Sequence, residues 1–275
     1  MTHAPSPELS ALIEQTRGGH VVVVTGAGIS AESGIPTFRG EEGYWTIGSR
    51  VYHPQEMATH AAFERMPREV WKWYLYRLGV CRGHDPNPAH EALARLEAGI
   101  GDRFLLATQN VDGLHLRAGN TQARTCQVHG NIDYMRAADG RDRNLYRVPD
   151  GLCPREREAP LTDAQWDVLV VPPDRQPARP HVLWFDEFYE EDLFRSSTAL
   201  RAAAKCDLFV VIGSSGAAAL PMHAIAEAAR GGAAIVNVDP SPNPFGEFAD
   251  DWERGCWVRQ TACDAVPGIV DALLR

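Results

Sequence analysis

Residues 20–25 read His-Val-Val-Val-Val-Thr, a β-branched run with no polar alternation, and this run limits the chain's fold more than any other feature. A strand with no polar face must be covered on both sides, which is the situation of a parallel sheet sandwiched between helices. Three further runs share the character: Phe104 to Thr108, Leu208 to Ile212 and Ala233 to Val238. Helical patterns lie around them. A segment capped by Ser6 runs from Pro7 to Gly18-Gly19, another spans Pro88 to Ala98 behind Asn87, and two more span Glu191 to Ala204 and Pro221 to Arg230. This alternation predicts the α/β class: a doubly wound, Rossmann-like parallel sheet. With 275 residues, 44% of them hydrophobic, the chain can bury a large core and still carry insertions.

Two stretches break the alternation. Residues 46–87 are helical and rich in aromatics, and residues 136–178 are rich in Arg, Asp and Pro with little periodicity, as in a small loop-dominated module. The remainder, 1–45, 88–135 and 179–275, forms the expected nucleotide-binding domain, closed after Asp250 by a strand and a helix. A formal charge of −9 disfavours nucleic acid as a partner. Apolar runs such as Val21 to Val24 are far too short to span a bilayer. Residues 1–19 lack a basic segment followed by an apolar one, and the six cysteines include no C-x-x-C pair, so reduced thiols and a cytoplasmic location are expected.

Gly26-Ala27-Gly28 follows the first strand, where glycines let a backbone approach a pyrophosphate. The same glycines can serve only to turn the chain, and Ala31 stands in place of the usual third glycine. Asp239, after the last strand, suits a ribose hydroxyl or a loop cap equally. His129 could be a general base near neutral pH or a histidine at a strand end. Tyr74 and Arg77 lie three apart on a helix and share a face, either as a clamp for a carboxylate or as a packed tyrosine beside a surface arginine. Cys153 is alone in its module and cannot by itself hold a tetrahedral metal.

The string from Thr25 to Gly40, TGAGISAESGIPTFRG, closely resembles the nucleotide-binding signature of the sirtuins. Thr108 to His115 (TQNVDGLH), His129-Gly130, Arg179 to Val182 with Trp184-Phe185, and Gly213 to Gly216 resemble that family's later signatures in the same order. The resemblance implies an enzyme that consumes NAD as co-substrate to remove acyl groups from lysines of protein partners. In that chemistry the acyl oxygen attacks the ribose carbon bearing nicotinamide, and a base then assists a ribose hydroxyl. It implies His129 as that base, Asn110 and Asp112 positioning the ribose and its attacking oxygen, and Gln109 on a ribose hydroxyl. Gly26, Ala27, Gly28 and Arg39 would meet the phosphates, Phe38 would shield the ribose, and Gly213, Ser214, Ser215 and Asn237 would hold the adenosine side. Val182, Trp184 and Phe185 would line the substrate channel. The segment from Gly43 to Arg77 is similar to the sirtuin branch that removes succinyl, malonyl and glutaryl groups. In that branch a small residue, here Ala58, leaves room for a longer chain, and a tyrosine and an arginine, here Tyr74 and Arg77, clamp its terminal carboxylate.

Two departures accompany the resemblance. Sirtuins usually hold a structural zinc with two C-x-x-C pairs, and alignment puts Ala137, Gly140, Val171 and Asp174 at those four positions, implying a zinc-ribbon-like module that has lost its metal. Leu145, Tyr146, Val148, Leu152, Trp166, Val168, Leu169 and Val170 are then expected to supply an apolar core in its place. Asp186 stands where the family usually has glycine, and would obstruct an ordinary peptide or favour a basic one. The readings still open beside the deacylase are an ADP-ribosyltransferase or NAD glycohydrolase of the same fold, and a non-catalytic NAD-binding regulator. Formation of O-acyl-ADP-ribose separates them.

Overall fold

The computed structural model describes residues 4–36, 45–47, 50–154, 156–157 and 159–275. Its frame is a six-stranded sheet in the order Gly255–Val258, Ala234–Val238, Leu208–Ile212, Val21–Thr25, Phe104–Thr108, Thr125–Gln127. Every pairing is parallel. From the central Val21–Thr25 strand the chain steps outward to one side, then returns through Leu208–Ile212 to fill the other. The crevice between these two strands, beyond their C-terminal ends, is the topological switch point at which such sheets bind ligands.

The absence of alternation in the β-branched runs is explained by burial on both faces. Val21 and Val23 pack with helices Pro7–Gln15, Pro88–Ile100 and Ala262–Leu273, while Val22 and Val24 pack with Ser196–Ala203, Ala219–Arg230 and Pro244–Asp251. The helix starts follow local chemistry. Ser6 Oγ accepts from the amide of Leu9, and Asn87 Oδ1 accepts from those of Ala89 and His90. One expected helix is divided. Glu191 to Ala204 forms Glu191–Phe194 and Ser196–Ala203, with Arg195 left-handed between them at φ 52°. The Glu191 carboxylate folds back onto the Thr198 amide at 3.0 Å, capping the second helix, while Arg195 reaches the carbonyls of Gln122 and Thr125.

The boundaries expected for the small module shift. Strands Gly130–Ala137 and Gln176–Val182 pair antiparallel with each other and form the centre of a four-stranded sheet, flanked by Tyr146–Arg147 and Val170–Val171. Residues 130–135 and 179–182 thus belong to this sheet rather than to the parallel one. Gly130, at φ 87°, allows the crossing, since a Cβ there would lie 2.2 Å from the carbonyl oxygen of His181.

The core expected for the module is also different in kind. Val148, Leu152, Leu169 and Val171 are buried, but in one cluster with Trp71, Trp73, Leu75 and Leu78 of helix Pro67–Arg82 in the insertion. Leu145 and Val168 instead face solvent, at 43% and 42% exposure, and Val170 is half-buried. Trp71 Nε1 donates to the carbonyl of Ala178 at 2.8 Å, and Arg82 pairs with Asp133 at 2.8 Å and Asp150 at 3.2 Å. Ala137 and Val171, at two of the positions that the family's zinc cysteines would occupy, lie within this shared cluster. Among the described residues no group of three or more His, Cys, Asp or Glu side chains is placed to hold a metal ion.

Candidate active site

Two glycine turns interlock at the switch point. Gly26 donates to the carbonyl of Ile212 and Gly28 to that of Gly213, each at 2.9 Å. A Cβ on Gly28 would lie 2.6 Å from Gly213 Cα, and Gly213 is itself left-handed at φ 60°. The first partner these glycines approach is thus each other's turn, and Ala27 lies between them. Phe38 and Arg39, assigned to the ribose and the phosphates, lie outside the described residues.

Along the ends of the strands, Gln109 Nε2 donates to Ser214 Oγ at 2.8 Å, tying two of the expected dinucleotide contacts together. Ser215 is exposed beside them. Asn237 is fully buried and neither its amide nitrogen nor its oxygen has a partner. A buried amide with both functions unmet is costly unless a ligand satisfies it. Asp239 accepts from the Ser241 amide at 2.9 Å, the loop-capping role, and burial raises its carboxyl above the usual range.

The centre of the site is a buried polar chain. Asn110 Nδ2 donates to the Gly26 carbonyl and to Ser30 Oγ, both at 3.0 Å, and Ser30 Oγ donates to Asp112 Oδ2 at 2.8 Å. Burial raises Asp112, while the Leu114 amide and the Ser30 hydroxyl pull it back. His90 approaches Ser30 at 3.4 Å, and its ring lies 4.8 Å from that of His115, which bonds Thr25 Oγ1 at 3.0 Å. Burial depresses both imidazoles, His90 to about 4. They are neutral hydrogen-bonding groups here. Ser30 and His90 were not singled out as functional from sequence, although Ser30 lies inside the first signature and His90 follows the Asn87 cap by three residues.

His129 sits where strand Gly130–Ala137 begins. Its Nδ1 meets the carbonyl of Gln109 at 3.0 Å, and its Nε2 meets the hydroxyl of Tyr189 at 2.9 Å. A carbonyl only accepts, so Nδ1 carries the proton and Nε2 presents its lone pair. Burial lowers the imidazole to about 4, opposed by the bond to Gln109. Tyr189 lies 60 residues along the chain from His129, and no sequence pattern joins the two.

The proposed acyl pocket is assembled from both sides of the shared core. Ala58 is buried, and its carbonyl accepts from the Phe185 amide at 2.9 Å. The Tyr74 hydroxyl, also buried, accepts from Trp184 Nε1 at 3.0 Å. Trp184 lies beneath the Arg179 guanidinium at 3.4 Å and against Phe63 at 5.3 Å. Arg77 is half-buried near the Trp73 ring at 5.5 Å; burial lowers it, and its charge partly offsets the burial that raises both Tyr74 and Asp112. The carboxylate-binding candidate and the site centre are therefore electrostatic neighbours. Val182 is buried at the strand end, whereas Phe185 is 57% exposed.

The Asp186 side chain, exposed at this edge, is engaged within the protein. Its carboxylate accepts from the amides of His60 at 2.7 Å and Ala61 at 3.2 Å, at the start of helix His60–Arg65. The side chain that replaces glycine satisfies helix-terminal donors and ties the channel loop to the insertion. Among the described residues no helix is long and apolar enough to cross a membrane.

Comparison with known proteins agrees with this geometry. The Sir2 family profile matches residues 26–219. An NAD-dependent protein deacylase of Leptospira interrogans is 35% identical over 239 residues, covering 86% of this chain and 87% of the relative. The NAD-dependent protein deacylase sirtuin-5, mitochondrial, of Danio rerio is 36% identical over 226 residues, covering 77% and 71%. The crystal structure of a Sir2 homolog–NAD complex superposes with a TM-score of 0.74 at 31% identity, covering 99% of this chain and 94% of that one.

Proposed function

From the premise that this chain belongs to the Sir2 family, we infer that it is an NAD-dependent protein-lysine deacylase whose pocket takes an acyl group ending in a carboxylate. The observation that carries the acyl preference is the half-buried Arg77, one helical turn from the buried Tyr74 and close enough for its charge to act on Asp112. A guanidinium in such a wall meets a carboxylate through charge-assisted bonds that an acetyl group cannot supply.

The residues present fit NAD, because Asn237, on the strand next to the switch point, holds a buried unmet amide, and Gln109 meets Ser214 at the strand ends. When bound, NAD supplies an electrophilic ribose carbon with nicotinamide as its leaving group, and a neighbouring hydroxyl. The glycine turns give that crevice its close walls. Asn110 and Asp112, held through Ser30, offer an amide and a carboxylate in fixed orientation. His129 takes a proton at Nε2 while Nδ1 stays on the Gln109 carbonyl, and its lowered pKa keeps it in the base form at neutral pH. Ala58, Trp184 and Tyr74 exclude water around the acyl chain. The partners are proteins carrying acylated lysines. We further propose that packing against helix Pro67–Arg82, rather than zinc, holds the small module together.

The test is turnover of matched acetyl-lysine and succinyl-lysine peptides with NAD, following nicotinamide and O-acyl-ADP-ribose by mass spectrometry. Succinyl peptide should be the better substrate, and Arg77→Met should reduce its kcat/KM about ten- to a hundredfold, the scale of one charged hydrogen bond, with little effect on acetyl peptide. Preference for acetyl peptide in the unmodified protein would sink the carboxylate assignment.

A further inference from the structure

His129 can act as a base only through Nε2, and that atom is already engaged. A neutral imidazole has one lone pair in the ring plane at its unprotonated nitrogen, so it accepts one hydrogen bond there. The Tyr189 hydroxyl is that donor, at 2.9 Å, with its ring stacked at 5.9 Å and 28° to the imidazole. A ribose hydroxyl that is to give its proton to Nε2 must occupy the same position. We propose that Tyr189 is a positioning residue for His129, holding the ring whose tautomer the Gln109 carbonyl sets and screening Nε2 until the substrate hydroxyl replaces it; this rests on the function proposed above.

The loop carrying Tyr189 explains how replacement follows substrate entry. The Leu183 amide donates to the carbonyl of His129 at 3.0 Å, so the loop leaves directly from the base. Phe185 then bonds to Ala58, Trp184 to Tyr74, and Glu187 pairs with Arg179 while accepting from the Trp184 amide at 2.9 Å. Tyr189 thus ends a short segment whose earlier residues form the acyl pocket wall. An acyl chain pressing on Ala58 and Trp184 acts on the segment that carries the phenol, whose hydroxyl also meets the Leu220 backbone in helix Ala219–Arg230. Filling the pocket and freeing the base are coupled through about five residues of backbone rather than through a distant relay.

Among the described residues, Tyr189 is the titratable group in contact with the imidazole. Gln109 contributes a carbonyl, and the Asp112 carboxylate is committed to Ser30 and Leu114. A Tyr189 hydroxyl held as donor favours the neutral ring. Removing only the hydroxyl is then expected to raise the imidazole pKa.

The experiment is Tyr189→Phe, read in two ways. In the free protein, ¹⁵N-histidine NMR, assigned with His129→Gln, follows the tautomer and titration of the ring with no turnover involved. The expected result is an upward shift of about half to one pH unit, the scale of one neutral hydrogen bond. The acid limb of kcat/KM should move with it, and at pH 8, where the ring is neutral in both proteins, kcat/KM should rise two- to tenfold because the competing donor is gone. An unchanged imidazole titration overturns the proposal, as does a fall in kcat/KM with an unmoved acid limb. If the unmodified protein consumes no NAD with any acyl peptide, the function proposed above fails, while a shifted titration in Tyr189→Phe still upholds the contact.

Discussion

The parallel sheet and the small antiparallel module solve the same problem in different ways. Each face of the large sheet is closed by helices of its own domain, in two separate clusters. The module closes its sheet with a helix from the other insertion, and its buried residues form one cluster with those of the proposed acyl pocket. A bound metal would hold such a module from within. The packing contacts seen here come from outside it, so module, pocket and channel loop form one packing unit.

Trp71→Ala should break this arrangement with the largest effect. It empties a fully buried indole site and removes the bond to Ala178, at about 3–5 kcal/mol. Amide exchange should accelerate across residues 54–82 and 130–182 together, while the Val21–Thr25 and Leu208–Ile212 strands remain protected. Unchanged protection in the module would refute the shared core. Asp186→Ala should have a smaller effect, costing about 1 kcal/mol through loss of helix-terminal acceptors, seen as faster exchange in His60–Arg65. The smallest expected effect is none. Prolonged chelation should leave the melting temperature unchanged, whereas a drop of several degrees would restore a metal to the module.

Much of the large sheet was legible because its physics is local. The unbroken β-branched runs, the Asn87 and Ser6 caps and the glycine turn each state their role within a few residues. The break at Arg195 was not legible, since it depends on Glu191 turning back to Thr198 and on carbonyls some 70 residues away. For the same reason the helix-terminal role of Asp186 was not legible, since its partners lie 125 and 126 residues distant. The module's core was misjudged because hydrophobicity alone cannot say which side of a short strand meets a helix from elsewhere, and Leu145 and Val168 face water as a result. The His129–Tyr189 contact combines both difficulties, being non-local and made by a residue type with no fixed pattern.

The bond from Trp71 to Ala178 spans 107 residues, and this has a consequence for the order in which the chain acquires structure. A metal-held module can close on ligands from its own short segment, whereas one held by the packing proposed above would need its partner surface first. During synthesis from the N-terminus that surface, on helix Pro67–Arg82, emerges well before residues 130–182. The module is thus expected to add onto a template already present, before the longer-range pairing of Val21–Thr25 with Leu208–Ile212 completes the large sheet.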